Sequence, residues 1–294
     1  MHPLQRASRA TPRPLLIVSD VDGTLLDEQG CLPCTPRELR AQLATLAAVR
    51  GTAVQVALAS SRTLRELTVL QRAICLPGPC IAEDGALLAV DTAHTRQGAQ
   101  DRRRSMVWAG RRQLAIEALA ADVAALEEIM QDMPAFLRAD IRQLGVPEWR
   151  TLGFRTPASV RRALAARHFS VLLDPEVLDA DAVKQLHEWA ARHALQLQRG
   201  GRWLTLTAAL GKGAALRVLR HQLSQNGVPP LVAAIGNEEN DLSLLAEADL
   251  RFVICNPHRG PLRSLASLPG AIVTSPEGPG GWIDMLNRLK QVNA

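Results

Sequence analysis

Apolar residues along this chain cluster in short runs. One spans residues 14–19 (PLLIVS), and others span 53–59, 79–82, 231–235 and 252–255. Runs of that length without polar alternation suit strands buried on both faces of a parallel sheet. Helical signals lie between them. Thr35-Pro36-Arg37-Glu38 supplies an N-cap, a proline in the first turn and an acid closing a capping box. Residues 63–74 and 241–248 read as further helices. Strand and helix alternating in this way predict a doubly wound α/β sheet.

The middle of the chain has a different rhythm. Residues 91–111 are polar and Arg-rich and read as a linker. Helices are expected over 114–130, 160–166 and 182–193, with a strand over 168–173. Strands over 195–198 and 203–207 flank Gly200-Gly201 as a hairpin. This α+β pattern, set inside the α/β pattern, predicts a core of residues 1–90 and 208–294 and an inserted domain of residues 91–207.

Composition narrows the function classes. The chain has 294 residues, 47% hydrophobic and 21% charged, an ordinary globular mix. A net charge of +5 is weak for its length, and aromatics are 3% with no Tyr. The basic run Arg102-Arg103-Arg104, followed by Arg111-Arg112, has no interleaved stacking platform, so no nucleic-acid partner is expected. No stretch approaches the ~20 apolar residues of a membrane helix, and the first residues lack the apolar core of a signal peptide. A cytoplasmic protein, monomeric or a small homo-oligomer, is expected. Cys31-Leu32-Pro33-Cys34 has no second ligand pair and reads as incidental reduced thiols. Lys and Arg total 34, yet only Lys184, Lys212 and Lys290 are lysines, which draws attention to where they stand.

The sharpest chemical signal is Asp20-Val21-Asp22-Gly23-Thr24-Leu25-Leu26, closing the first apolar run. Ligands of open α/β sheets bind at the carboxyl ends of strands. In an extended segment residues i and i+2 point the same way, so Asp20 and Asp22 can face one pocket. One carboxylate can serve as nucleophile and the other as general acid/base, and the pair offers hard oxygens to Mg²⁺.

SDVDGTLLD resembles the first motif of the haloacid-dehalogenase-like (HAD) phosphohydrolases. Three further motifs of that superfamily follow in order: Ser60 in Ala59-Ser60-Ser61-Arg62, Lys212 between Gly211 and Gly213, and the acidic loop Gly236-Asn237-Glu238-Glu239-Asn240-Asp241. The insertion between the second and third motifs resembles the type-two caps of its IIB branch. Ser60-Ser61-Arg62-Thr63, Ile81-Ala82-Glu83-Asp84-Gly85, Gly200-Gly201-Arg202-Trp203 and the segment 276–282 (PEGPGGW) are similar to sequences of the mannosyl-3-phosphoglycerate phosphatases.

That resemblance implies a Rossmann-like core with an inserted α+β cap and a Mg²⁺-dependent phosphatase of a small anionic sugar phosphate. Mannosyl-3-phosphoglycerate is the best single guess. Asp20 would attack phosphorus, Asp22 would act as acid and then base, and Thr24, Ser60 and Lys212 would hold the phosphoryl group. Arg62 and Arg202 would bind substrate. Asp20, Asp22, Asn237 and Asp241 would hold the metal. Asn237 stands where the resemblance leads one to expect Asp, Asp84 where Asn is usual, and Arg62 where Lys is usual. A phosphatase of other or broad sugar-phosphate specificity, and a binding or regulatory protein impaired by Asn237, stay open as alternatives.

Overall fold

The computed structural model describes residues 12–94, 104–109, 111–137, 167–174, 176, 178–200, 203–224, 227–258 and 260–292. In chain order the strands of the first part are β1 (Leu15–Ser19), β2 (Val54–Ala59), β3 (Cys80–Ala82), β4 (Leu87–Asp91), β5 (Arg104–Ala109) and β6 (Arg112–Ala118). They continue as β7 (Ser170–Leu173), β8 (Gln196–Gly200), β9 (Trp203–Thr207), β10 (Leu231–Gly236), β11 (Leu250–Val253) and β12 (Ala271–Val273). The helices are α1 (Pro36–Arg50), α2 (Leu64–Ala73), α3 (Val123–Met130), α4 (Ala180–Arg192), α5 (Gly211–Gln222), α6 (Leu242–Ala246), α7 (Arg263–Ala266) and α8 (Gly280–Gln291).

Strand β1 sits at the centre of a nine-stranded sheet ordered β12-β11-β10-β1-β2-β3-β4-β6-β5. Its neighbours β2 and β10 are both parallel to it. Because side chains alternate across a strand, Leu15 and Ile17 enter one apolar layer with residues of α1, α2 and α8. Leu16 and Val18 enter the other with residues of α5, α6 and α7. A strand buried on both faces has no polar side, which is why it reads as an unbroken apolar run. The chain leaves β1 toward β2 and β3, then returns on the opposite side through β10 and β11. This reversal of strand order opens a crevice beside the carboxyl end of β1.

Helix starts follow the sequence signals. Thr35 and Thr63 both cap through reciprocal boxes with Glu38 and Glu66, and α1 ends on Gly51 at φ 60°.

The middle segment departs from expectation. Residues 104–109 and 112–118 are paired antiparallel strands that extend the large sheet beyond β4. The linker reading failed there because polar and Arg-rich composition does not exclude an edge hairpin. The long helix expected from 114 begins only at Val123. The helix expected over 160–166 lies outside the described residues. A separate three-stranded antiparallel sheet, β7-β9-β8, carries its own apolar cluster with α3 and α4, including Leu126, Leu173, Leu186, Trp189 and Leu206. We propose that the inserted unit begins after Ala118 and not at residue 91, since β5 and β6 pair into the large sheet. Among the described residues no helix is long and apolar enough to cross a membrane.

Helices α5 and α6 approach closely at Gly213, where an added Cβ would meet the backbone carbonyl of Ser243. Gly213→Ala is therefore expected to cost about 1–3 kcal/mol through overpacking. The urea midpoint should fall with the m-value unchanged. An unchanged midpoint would mean that this backbone contact is not present in solution.

Candidate active site

Four loops converge on the crevice at the end of β1. Asp20 leaves that strand with its backbone N–H donating to Ile235 O at 3.0 Å, so the next strand fixes its backbone. The residue is 6% exposed. Lys212, in the first turn of α5, is fully buried and donates from Nζ to Asp20 Oδ1 and to Asp241 Oδ1, both at 2.7 Å. Asp241 Oδ2 in turn accepts from the backbone N–H groups of Asn237 at 2.9 Å and Glu238 at 3.1 Å. One carboxylate thus shapes the acidic loop and anchors the lysine.

The charges in this cluster do not balance locally. Burial pushes the Asp20 carboxyl up to about 8, with the Asp241 charge adding to the rise and the Lys212 ammonium opposing it. Burial alone would lower Lys212, but the Asp20 and Asp241 charges overturn that and hold it above the usual lysine range. Burial also raises Asp84, against the pull of Lys212 and a hydrogen bond from Asn240.

The remaining residues expected at the site are placed as follows. Thr24 is buried and donates from Oγ1 to Asn237 Oδ1 at 3.0 Å, joining the first and fourth loops. Gly23 makes the turn between them at φ 76°, and a Cβ there would run into the Asn237 amide. Ser60 is buried at the end of β2, and its Oγ accepts from the Arg62 N–H at 3.2 Å. Arg62 grips Asp22 bidentately, Nε to Oδ2 at 2.9 Å and Nη2 to Oδ1 at 2.6 Å. The Asp22 side chain is 55% exposed, so this fork orients it and adds little stability. The expected substrate contact Arg202 lies outside the described residues.

Sequence reasoning missed three groups. Trp282 is fully buried and donates from Nε1 to Ser19 Oγ at 2.9 Å, while Ser19 Oγ donates to Asp20 O at 2.6 Å. An indole from the last helix thereby steadies the backbone of Asp20. No local signal links residues 19 and 282. Asp84, buried, accepts from Asn240 Nδ2 at 3.0 Å and joins the third strand to the acidic loop. Glu83, also buried, accepts from the inserted unit. Of the basic run, Arg112 is held by Asp91 Oδ2 at 2.8 Å, and Arg102 and Arg103 lie outside the described residues.

The donor set suits a hard cation. Asp20 Oδ2, Asn237 Oδ1 and the Asp22 main-chain carbonyl are all oxygens, matching what Mg²⁺ takes when it keeps several waters. Both oxygens of Asp241 are already engaged. The described residues hold no group of three or more His, Cys, Asp or Glu in metal-holding geometry. Cys31 and Cys34 are free thiols; burial and the Glu38 charge raise Cys34, and burial pushes Cys80 up to about 12.

No family model matches the chain. A curated relative, a glucosyl-3-phosphoglycerate/mannosyl-3-phosphoglycerate phosphatase from Persephonella marina, is 22% identical over 280 residues, spanning 94% of this chain and 97% of the relative. A haloacid-dehalogenase-like hydrolase from B. subtilis superposes with a TM-score of 0.60 at 16% identity, over 94% of this chain and 99% of that one. A phosphatase of the same superfamily from Bacteroides thetaiotaomicron gives a TM-score of 0.61 at 14% identity, over 97% and 98%. The chain has the HAD-like hydrolase fold, and its sequence is similar to that of the phosphoglycerate-glycoside phosphatase.

The charge imbalance carries a stability consequence. In the unfolded chain an aspartate releases its proton near pH 4, whereas folded Asp20 retains it to about pH 8. Folding then binds a proton between these values, so Asp20 lowers stability as pH rises through that window. In metal-free protein with chelator, Asp20→Asn should melt above wild type. The gap should widen from pH 4 to 8 and flatten beyond. A gap that does not change with pH would contradict this account of Asp20.

Proposed function

We propose that this protein is a Mg²⁺-dependent phosphomonoesterase that works through an aspartyl-phosphate and acts on a small anionic sugar phosphate. The observation that carries the reading is the buried Lys212 bonded to Asp20 at the crevice where strand order reverses. A carboxylate held by an ammonium in a water-poor pocket is oriented for attack, and the same ammonium can neutralise charge gathering on a phosphoryl group. Phosphoryl transfer asks mainly for this positioning and charge stabilisation.

The geometry supports the following residue roles. Asp20 Oδ2, the oxygen that Lys212 leaves open, is the attacking atom. Thr24 and Ser60, both buried in the loops that follow β1 and β2, can turn hydroxyl donors toward phosphoryl oxygens. Asp22 is the acid that protonates the leaving alkoxide and then the base that takes a proton from water. Arg62, which grips Asp22, is a substrate contact, and its fork keeps the carboxylate aimed until an anion competes for the guanidinium. Mg²⁺, held by Asp20, Asn237 and the Asp22 carbonyl, would neutralise phosphoryl oxygens when bound. Asp241 supports this arrangement through Lys212 and the acidic-loop backbone, with Asn237 supplying an amide oxygen without charge. A lower Mg²⁺ affinity is the expected cost of that neutrality.

For the substrate, the segments around 60–63, 81–85 and 276–282 and the 22%-identical relative favour mannosyl-3-phosphoglycerate or a close glycoside. A binding or regulatory protein is the competing reading, and Asn237 is the feature that favours it.

Wild type should hydrolyse p-nitrophenyl phosphate with Mg²⁺ and stop on chelation. Asp20→Asn should fall to background, and Lys212→Ala should lose about 10²–10³-fold in kcat, the scale for removing one charge-stabilising donor. Equal inertness of wild type and Asp20→Asn at high Mg²⁺ would remove the enzyme reading. A panel of phosphorylated glycerates and hexoses then ranks substrates by kcat/KM, with the glycosyl-3-phosphoglycerates expected first.

A further inference from the structure

Residues Glu83, Asp84 and Gly85 follow β3 with φ of 47°, 55° and 101°. Two non-glycine residues in succession on the left-handed side are disfavoured unless their surroundings hold them there. Here the surroundings do so from every direction. Glu83 N–H donates to Arg62 O at 3.0 Å and Asp84 N–H to Ser60 O at 3.1 Å, tying the turn to the Ser60–Arg62 loop. Asn240 reaches Asp84 from the acidic loop. Gly85 lies so near the Gly211 and Lys212 backbone that a Cβ would collide with it.

The Glu83 side chain points away from those loops into the inserted unit. It is fully buried. Oε1 accepts from His168 N–H at 3.0 Å. Oε2 accepts from Phe169 N–H at 3.0 Å and from Ser170 Oγ at 2.6 Å. Arg167 Nη1 closes the ring by donating to Ser170 Oγ at 2.8 Å and to Ser61 O at 3.0 Å. The return crossing joins the same knot, with Thr207 Oγ1 donating to Phe169 O at 2.9 Å. Ser170 and Thr207 are paired in register, so the chain's entry into β7 and its exit from β9 lie side by side next to one buried carboxylate. The edge strand β8 packs against the 239–241 turn of the acidic loop.

We infer that Glu83 is a positioning residue: its carboxylate clamps the first strand of the inserted unit to the Ser60–Arg62 loop and so sets where that unit stands over the substrate. A charge-assisted triple acceptor in a dry setting is directional, whereas an apolar contact there would permit sliding. The substrate dependence rests on the phosphatase reading. The clamp itself does not.

Two variants test it in the full-length chain. Glu83→Gln sets amide donors against the backbone donors of 168 and 169. Ser170→Ala removes one donor from the insert side and carries the test should Glu83→Gln not fold. Hydrogen exchange at amides 168–170 should accelerate in both, while β1 and β10 stay protected. Catalytically, kcat/KM for a glycosyl-3-phosphoglycerate should fall about tenfold, mainly through KM, while p-nitrophenyl phosphate, too small to reach the insert, stays within about twofold. Unchanged exchange at 168–170, or an equal loss on both substrates, overturns the inference. A wild type inert toward both substrates would sink the phosphatase reading instead, and exchange alone would then decide the clamp.

Discussion

A single ammonium group organises the centre of this molecule. Lys212 has no exposed surface and bonds to two carboxylates from different loops. Removing three charged groups from water is expensive, and such a cluster persists only where geometry is good and every group is engaged. The surroundings meet that demand. Gly213 lets α5 begin against the Ser243 backbone, Asp241 is held by two backbone N–H groups, and β10 pins the backbone of Asp20. The arrangement sacrifices stability to hold one carboxylate in a raised, poised state, a pattern that concentrates at functional sites.

The sheet supplies the rigidity that such a cluster needs. Asp20 stands where strand order reverses, so the loops from β1 and β10 meet side by side without either chain having to cross the other. Apolar layers on both faces fix β1, and a buried indole from α8 reaches across to the Ser19 hydroxyl beside Asp20. Helices distant in sequence thus act on one peptide unit. A change in α8 packing would be felt at Asp20.

Much of this was legible along the chain because it is written locally. A doubly buried strand must be apolar throughout, a capping box occupies four residues, and the Asp20–Asp22 pair lies within one strand end. Lys212 stood out because lysine is rare here. What stayed hidden was non-local. Strand β5 lies at the edge of the large sheet, where a polar, Arg-rich sequence is tolerated, so its composition resembles a linker, and its partner β6 reads as the start of a helix. The Trp282–Ser19 bond spans nearly the whole chain. Glu83 looked like part of a motif, with nothing to show that its side chain faces the insert, because a left-handed φ at a non-glycine residue leaves no mark in composition.

Two of the three departures at the site, Asn237 and Asp84, take on meaning when considered together. Asn237 removes a carboxylate from the acidic loop, and Asp84 adds one on the neighbouring turn. These positions are not independent in space: Asn237 is bridged to Thr24, Asp84 is bridged to Asn240, and both belong to the loops that enclose Lys212. The Asp84 charge acts on Lys212 in the same sense as those of Asp20 and Asp241. Three carboxyl groups, from Asp20, Asp241 and Asp84, therefore act on the buried ammonium although Asn stands at 237. A lost charge at one ligand position is not an empty one, since the field at the lysine depends on the set of carboxylates and not on any single member. Asn237 alters what oxygen a cation would meet. It does not by itself dismantle the electrostatic setting in which Asp20 is held.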